Sequence, residues 1–405
     1  MQGKRVLTDK QMAFLLATMT ALMPLSVDGY LPALVQISEE LNADIHMIEK
    51  SLSTFLLGVA VGQFVGGSVS DIKGRRVVAL SGLAVYISAS LGLALLQTAE
   101  QLLVLRAVQA LGAGMAAVMA GAVVRDHYEG RQAGQMFALI GIIMMGAPLV
   151  APMLGSVLQI LGGWRLIFAF LTVYAVLVWA LIYYFLPHSA HCGKFDGSFV
   201  ADMWARYRKV LRTKPALGFL FFQAFSFSSM FAFITESPFV YMKLYGVSPH
   251  AYAWLFGCNI IMMAAFNRLT AYQLKTGKNA EDILKWGVLV QMFANICLAL
   301  SVFGFGLPPM ALLVGFAMIS VGTQGLITAN TQTCFMSYFK AEGGTANALL
   351  MASSSLIGAF MGWLTTVLHD GSAHVMVGMM LTSSICGISL LWFYSREVWL
   401  AKRVH

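Results

Sequence analysis

Residues 11–32 read QMAFLLATMTALMPLSVDGYLP, and the solvent this stretch requires decides the fold. A helix of about 20 apolar residues crosses the ~30 Å hydrocarbon core of a bilayer, and residues 11–32 reach that length with one charge, Asp28. Two prolines, Pro24 and Pro32, and Gly29 surround the carboxylate. The segment therefore predicts a membrane helix whose backbone is loosened where its single ion sits.

The rest of the chain agrees. Of 405 residues, 59% are hydrophobic and only 11% charged, against about a quarter charged in ordinary soluble domains. Water would not tolerate the apolar surface that follows, so lipid must be the solvent. The composition excludes disorder, and five cysteines in so long a chain exclude a disulfide scaffold. Leu, Met, Phe and Ala come in continuous blocks without alternation, which favours helices over a transmembrane barrel.

Twelve spans are predicted, at 11–32, 47–69, 77–97, 101–123, 135–158, 165–186, 216–236, 249–269, 284–304, 308–335, 345–368 and 374–394. Spans ten and eleven are long or Ser/Gly-rich enough to predict tilt or a break. With the N-terminus inside, 22 of the 26 Lys and Arg residues fall on the inner side. That asymmetry predicts both termini in the cytoplasm. The first apolar stretch is span-length and no small-residue cleavage site follows it, so it reads as a retained helix in a bacterial inner membrane. The net charge of +8 lies beside span ends without aromatic interleaving, which points to lipid headgroups and not to nucleic acid.

The longest polar interruption divides the chain into residues 1–187, a linker at 188–215 and residues 216–405, six spans on each side. Within the linker Phe199, Met203, Trp204, Tyr207 and Val210 recur at helical spacing against Arg206, Arg208, Lys209 and Arg212. This predicts an amphipathic helix at the inner surface. Two halves of equal span number suggest a transporter with a path between them.

Two ions stand inside spans. Asp28 must face a water-filled route, pair with a cation or carry a proton, unless it lies at the interface. Arg106, in span four, keeps its proton at any relevant pH; it can position water, attract an anion or tune a carboxylate, but cannot shuttle the proton itself. If spans one and four face one cavity, Arg106 tunes Asp28; a plain structural tie between helices is the alternative.

Span two ends in GGSVSDIKGRR (66–76). Gly66 and Gly67 allow close helix contact, Gly74 allows a tight turn, and Arg75 and Arg76 bring charge to the inner face. Asp71 can accept hydrogen bonds from a helix start, and Arg125-Asp126 at the inner end of span four offers a partner for Arg75. Span five carries Gly141, Gly146, Pro148, Pro152 and Gly155, which predicts close packing and a bend, as a moving gate or a static kink. Phe14, Tyr30, Phe55, Phe231, Phe233, Trp254 and Phe256 can line an apolar cavity or pack in the core or against lipid. Asn259, Asn267, Asn295, Gln324, Asn330 and Gln332 can join helices or orient a ligand. Glu236 ends span seven and reads as an exposed helix-end carboxylate, the alternative being a group that attracts cationic drugs or takes part in proton binding.

Taken together, Gly67 to Arg76, Arg106 with Gln109, Gly112 and Gly114, the run from Gly146 to Gly155, and Pro24 to Pro32 with Ser237-Pro238-Phe239-Val240-Tyr241 resemble the motifs of the major facilitator superfamily and, within it, the Bcr/CflA drug:proton antiporters. The resemblance covers nearly the whole chain. It implies an all-α membrane protein of two pseudo-symmetric six-helix bundles that alternate access to a central cavity. It further implies a monomeric secondary transporter, not an enzyme, with no cofactor and a proton gradient as its energy source, and small amphipathic molecules, protons and membrane lipids as its partners. On this sequence Asp28 becomes the proton carrier and Arg106 its coupling partner. Tyr30, Phe55, Gln109, Phe231, Trp254 and Asn259 become substrate contacts. Gly67, Asp71, Gly74, Arg75, Arg76, Arg125, Asp126, Gly146, Pro148, Pro152 and Gly155 become the gating set.

The chain departs from the pattern at Ile72, where arginine is frequent, at Ala110 and Ser156, where glycine is frequent, and at Thr20, where a related group has an acidic residue. A single coupling carboxylate follows. The expected activity is proton-driven efflux of chloramphenicol-like or bicyclomycin-like drugs. A transporter of one metabolite, such as a sugar or amino acid, and a non-transporting receptor or assembly protein are the alternatives. The cysteines, Cys192 among them, lack metal-ligand spacing, and no nucleotide-binding loop is present.

Overall fold

In the computed structural model, which describes residues 8–128, 130–186, 197–339 and 343–400, the regular structure is helical throughout, with no strand among the described residues. Ten segments are long and apolar enough to cross a membrane. One of them, Leu139–Phe185, runs 47 residues and holds two spans. It lies in α7 (Gly130–Phe185), which breaks at Gly162 and Gly163; Gly163 has φ 72°, a left-handed conformation that glycine adopts at no steric cost. A further helix, α10 (Pro249–Lys275), has 27 residues but carries Asn259, Asn267 and Arg268 and is less apolar than the rest. Twelve membrane-length segments result, and the protein is an all-α multi-pass membrane protein.

Span one is interrupted as its prolines predict. It comprises α1 (Asp9–Thr20), α2 (Leu22–Val27), a 3-10 turn at Leu31–Ala33 and α3 (Leu34–Glu40). Pro24 has no N–H for the carbonyl of Thr20, four residues earlier, and the helix restarts just before it. Next come α4 (Ile45–Lys73), α5 (Arg75–Leu95) and α6 (Ala99–His127). Gly74 separates α4 from α5 with φ 88°, the tight turn the sequence implies.

After α8 (Gly197–Arg212) and α9 (Lys214–Pro238), span seven continues to Leu244 as a π-helical turn, Phe239–Leu244. Then follow α10, α11 (Ala280–Phe305), α12 (Met310–Gly322), α13 (Gln324–Met336), α14 (Gly343–Leu368) and α15 (His374–Leu400). Span ten is broken at Thr323, between α12 and α13. Of the tilt or break expected in span eleven, no break is present: α14 runs without interruption. The predicted amphipathic helix is α8, with Trp204 67% exposed and Val210 buried.

The helices form two compact units, Met1–Phe195 with Val247–Gly257, and Asp196–Gly246 with Cys258–His405. In the first, α6 packs against α4 and α5, and α7 against α1 and α5. In the second, α9 packs against α14 and α15. Val210 seats the end of α8 in a core with Phe219, Phe222, Phe335, Phe339 and Leu391.

The second unit is also stapled by polar contacts. Asn295 donates from Nδ2 to Ser384 Oγ (2.7 Å) and Ser229 Oγ (3.3 Å), and its Oδ1 accepts from Ser320 Oγ at 2.6 Å. Gln324 Nε2 bonds Ser226 Oγ at 2.9 Å, and Gln332 Nε2 bonds Asn347 Oδ1 at 2.8 Å. Asn295, Gln324 and Gln332 thus join helices, while Asn330 bonds back to the Leu326 carbonyl on its own helix.

Candidate functional site around Arg106

In the first unit α6 brings Arg106 to the last turn of α2, where helical carbonyls run out of backbone partners. Arg106 is fully buried. Its Nη1 donates to the Ser26 carbonyl at 3.0 Å and to Gln109 Oε1 at 2.8 Å. The guanidinium carbon lies 4.2 Å from the Phe55 ring centroid and 4.8 Å from that of Tyr30. A desolvated cation over an aromatic face gains about 2 kcal/mol, so the two rings help offset the cost of burying the charge. Nε and Nη2 have no hydrogen-bond partner among the described residues.

A polar chain fixes this arrangement. Gln109 Nε2 donates to Ser90 Oγ at 2.9 Å, Ser90 donates to the Tyr86 carbonyl at 2.7 Å, and the Tyr86 hydroxyl meets Ser26 Oγ at 2.5 Å. The Tyr30 hydroxyl lies 3.1 Å from Ser51 Oγ. Spans one, two, three and four all contribute. Ser26, Ser51, Tyr86 and Ser90 are absent from the sequence-based site, because hydroxyls in apolar spans carry no spacing signal of their own.

Asp28 caps α2, its backbone N–H bonding the Pro24 carbonyl at 2.8 Å. It is only 7% exposed, so it is buried within the protein. Its carboxylate has no hydrogen-bond or ion-pair partner among the described residues. No hydrogen bond or ion pair joins the carboxylate to Arg106; the two are linked through backbone, Arg106 gripping the carbonyl two residues before Asp28.

Span five explains why the chain can turn here. A Cβ on Gly155 would stand 1.9 Å from the Gly29 carbonyl oxygen, and one on Gly29 would stand 3.3 Å from that of Ala151. The backbones of spans one and five touch directly behind Asp28, an approach that only glycine permits. Pro148 and Pro152 lie within the same helix. The close approach expected at Gly67, Gly141 and Gly146 is not observed: a Cβ there would meet nothing within 4 Å, so these positions leave open space where Gly155 leaves none.

At the loop between α4 and α5, Arg75 Nε donates to Asp126 Oδ2 at 2.9 Å, the partner its sequence position suggests, and Arg75 also bonds Ser70 Oγ. Both residues belong to one unit, so this pair ties α5 to α6. Arg76 points elsewhere, to the Tyr183 carbonyl and over the Tyr183 ring, 5.2 Å from its centroid. The side chains of Asp71 and Arg125 lie outside the described residues, as does Cys192.

Of the other expected substrate contacts, Phe231 and Asn259 are buried in the second unit, whereas Trp254 is 56% exposed, its Nε1 donating to His250 Nε2 at 3.3 Å. Glu236 corrects an expectation. It is fully buried, not exposed, because span seven continues past it into the π-helical turn. Its Oε2 meets His369 Nδ1, at the end of span eleven, at 2.9 Å. Glu49, in α4, is likewise fully buried and pairs with His46 Nδ1 at 2.8 Å; the only sequence signal for it is a histidine and a glutamate at i, i+3 spacing at the start of a span.

Comparison with known proteins identifies the family. The family profile described as Major Facilitator Superfamily matches residues 16–363. The chain is 29% identical to the bicyclomycin resistance protein homolog of Haemophilus influenzae, over 94% of each chain. It is 30% identical to the chloramphenicol resistance protein of Pseudomonas aeruginosa, over 92% of this chain and 90% of that one. A crystal structure of the peptide transporter POT covers 96% of this chain and 95% of its own with a TM-score of 0.78; at 15% identity it speaks to the fold alone. The chain belongs to the Major Facilitator Superfamily as a secondary transporter, homologous to the members of its Bcr/CflA group.

Proposed function

We propose that this protein exports small amphipathic drugs in exchange for protons across a bacterial inner membrane, as a monomer with both termini in the cytoplasm. Residues 1–187 and 216–405 act as the alternating halves, joined by 188–215. Phe231 and Asn259 serve as substrate contacts, and Arg75, Arg76 and Asp126 belong to the inner gate.

The observation that carries this reading is Asp28: a buried carboxylate without a side-chain partner among the described residues, at a break in span one, next to Gly29, whose backbone meets Gly155, and two residues from a carbonyl held by Arg106. A carboxyl so placed gains or loses a proton according to which side's water reaches it. Ionised, it adds a buried anion at the break in span one, two residues from the Ser26 carbonyl that Arg106 holds, and so favours a rearrangement of that contact. Neutral, it leaves Arg106 to Ser26, Gln109 and the rings of Tyr30 and Phe55. Proton and substrate then favour opposite states, and each can displace the other. An inward proton gradient turns this exclusion into outward drug transport.

The direct test is reconstitution of the full chain in vesicles with an imposed pH gradient, following drug flux and lumenal pH together. Chloramphenicol, bicyclomycin and unrelated apolar scaffolds form the panel. Drug and proton are expected to move in opposite directions, each depending on the other, for several scaffolds. Flux confined to one sugar or amino acid, or drug flux without proton movement, contradicts the proposal.

A further inference from the structure

In the second unit, the start of α9 and the last turns of α15 border an open recess of about 1170 Å³, lined in part by Lys214, Pro215, Ile388, Trp392, Phe393 and Arg396. The recess is built and fixed. Ser395 Oγ donates to the Pro215 carbonyl at 2.7 Å, binding the two helices at its back. Gly218 permits that approach, since a Cβ there would stand 2.1 Å from Ser395 Oγ. Val210, buried in the core beside Ala216 and Leu391, holds the end of α8 next to it.

Two properties of the lining define what it takes. Lys214 and Arg396 are exposed at the recess, and neither has an acidic partner among the described residues. Trp392 and Phe393 are 54% and 73% exposed and form an apolar wall beside these cations. Cations beside exposed aromatics at the end of a membrane span suit a ligand with an anionic head and apolar chains. Basic pockets between spans are known to accept such headgroups, and tryptophan favours the depth at which they lie. The neighbouring α8 adds exposed Arg208, Lys209 and Arg212 to the same end of the unit.

The geometry points to a phospholipid site: an anionic phospholipid places its phosphate between Lys214 and Arg396 and lays its acyl chains on Trp392, Phe393 and Ile388. The source of the phosphate is membrane lipid, since a soluble phosphate would leave the aromatic wall unused. The site lies outside the Arg106 network and stands whether or not Asp28 carries protons. The proposed orientation puts it on the cytoplasmic leaflet.

The test is native mass spectrometry of the full chain in detergent, titrated separately with cardiolipin, phosphatidylglycerol and phosphatidylethanolamine. The wild type should retain both anionic lipids over phosphatidylethanolamine. The doubly substituted Lys214→Gln, Arg396→Gln chain should lose that preference, by about fivefold for each charge removed, the fold-change equivalent to ~1 kcal/mol per basic residue near a membrane surface. Trp392→Ala should weaken retention of all three lipids while leaving the anionic preference in place. Both sets of substitutions lie at exposed positions, and unchanged thermal unfolding verifies that the fold persists. Equal retention of anionic and zwitterionic lipid by the wild type, or an undiminished preference in the double variant, overturns the assignment. Comparable binding of glycerol 3-phosphate would also overturn it by showing a site for soluble phosphate. Because binding is read in detergent, a failed transport assay leaves this result intact.

Discussion

Arg106 Nη1 holds the backbone carbonyl of Ser26 at 3.0 Å, two residues before Asp28. The guanidinium therefore stabilises the break in span one without neutralising the carboxylate. Replacing Arg106 by lysine keeps a charge but removes the planar fork that reaches Ser26 and Gln109 and stacks between two rings. We expect Arg106→Lys to insert normally yet lose most proton-coupled flux. Arg106→Ala should also be destabilised, by about 3 kcal/mol or more, because buried acceptors lose their donor. Thermal unfolding of the purified variants, measured beside vesicle transport, checks both outcomes.

Gly155 and Gly146 lie in one helix but face different surroundings. A Cβ at Gly155 would stand 1.9 Å from the Gly29 carbonyl oxygen, while one at Gly146 meets nothing within 4 Å. Gly155→Ala should push span five away from span one, lowering stability by roughly 1–3 kcal/mol as overpacking does and reducing transport. Gly146→Ala should leave stability unchanged or raise it slightly through helix propensity. Equal behaviour of the two variants in melting and flux measurements contradicts this contrast.

The pairing of Arg75 with Asp126 at 2.9 Å was accessible from sequence because both stand at the inner ends of spans, in short charged connections. The Gly155 contact was accessible for a related reason, since glycine and proline cluster where backbones meet. Glu236 was not. A proline two residues later suggests a helix end, but the helix widens into a π-helical turn and carries Glu236 into the interior against His369. Apolar periodicity also gives the length of a span without its rotation. Tyr30 and Phe55 thus read as cavity aromatics, and only the structure turns their rings onto Arg106.

The pair of Arg75 and Asp126 is partly exposed, its side chains 19% and 37% accessible. Ion pairs of this kind couple by about 0.2–1 kcal/mol. Arg75→Ala and Asp126→Ala should each change stability little, and a double-mutant cycle on thermal unfolding should return a coupling in that range. A gating role requires that both substitutions lower flux more than they lower stability.

Glu236 and His369 join spans seven and eleven in a buried site. Removing either partner should cost about 1–3 kcal/mol by stranding a buried polar group. The double substitution Glu236→Leu, His369→Leu should cost less than the sum of the single ones. Additive losses in denaturation experiments would show that the two side chains act independently.

The central claim is that Asp28 carries the transported proton, and its most direct measurement is drug flux with lumenal pH in vesicles holding Asp28→Asn under an imposed gradient. The variant keeps the shape of the side chain and removes only the titrating oxygen. The account predicts normal insertion and retained drug binding, with gradient-driven export and drug-induced proton movement both abolished. Export at the wild-type rate with proton movement preserved would contradict it.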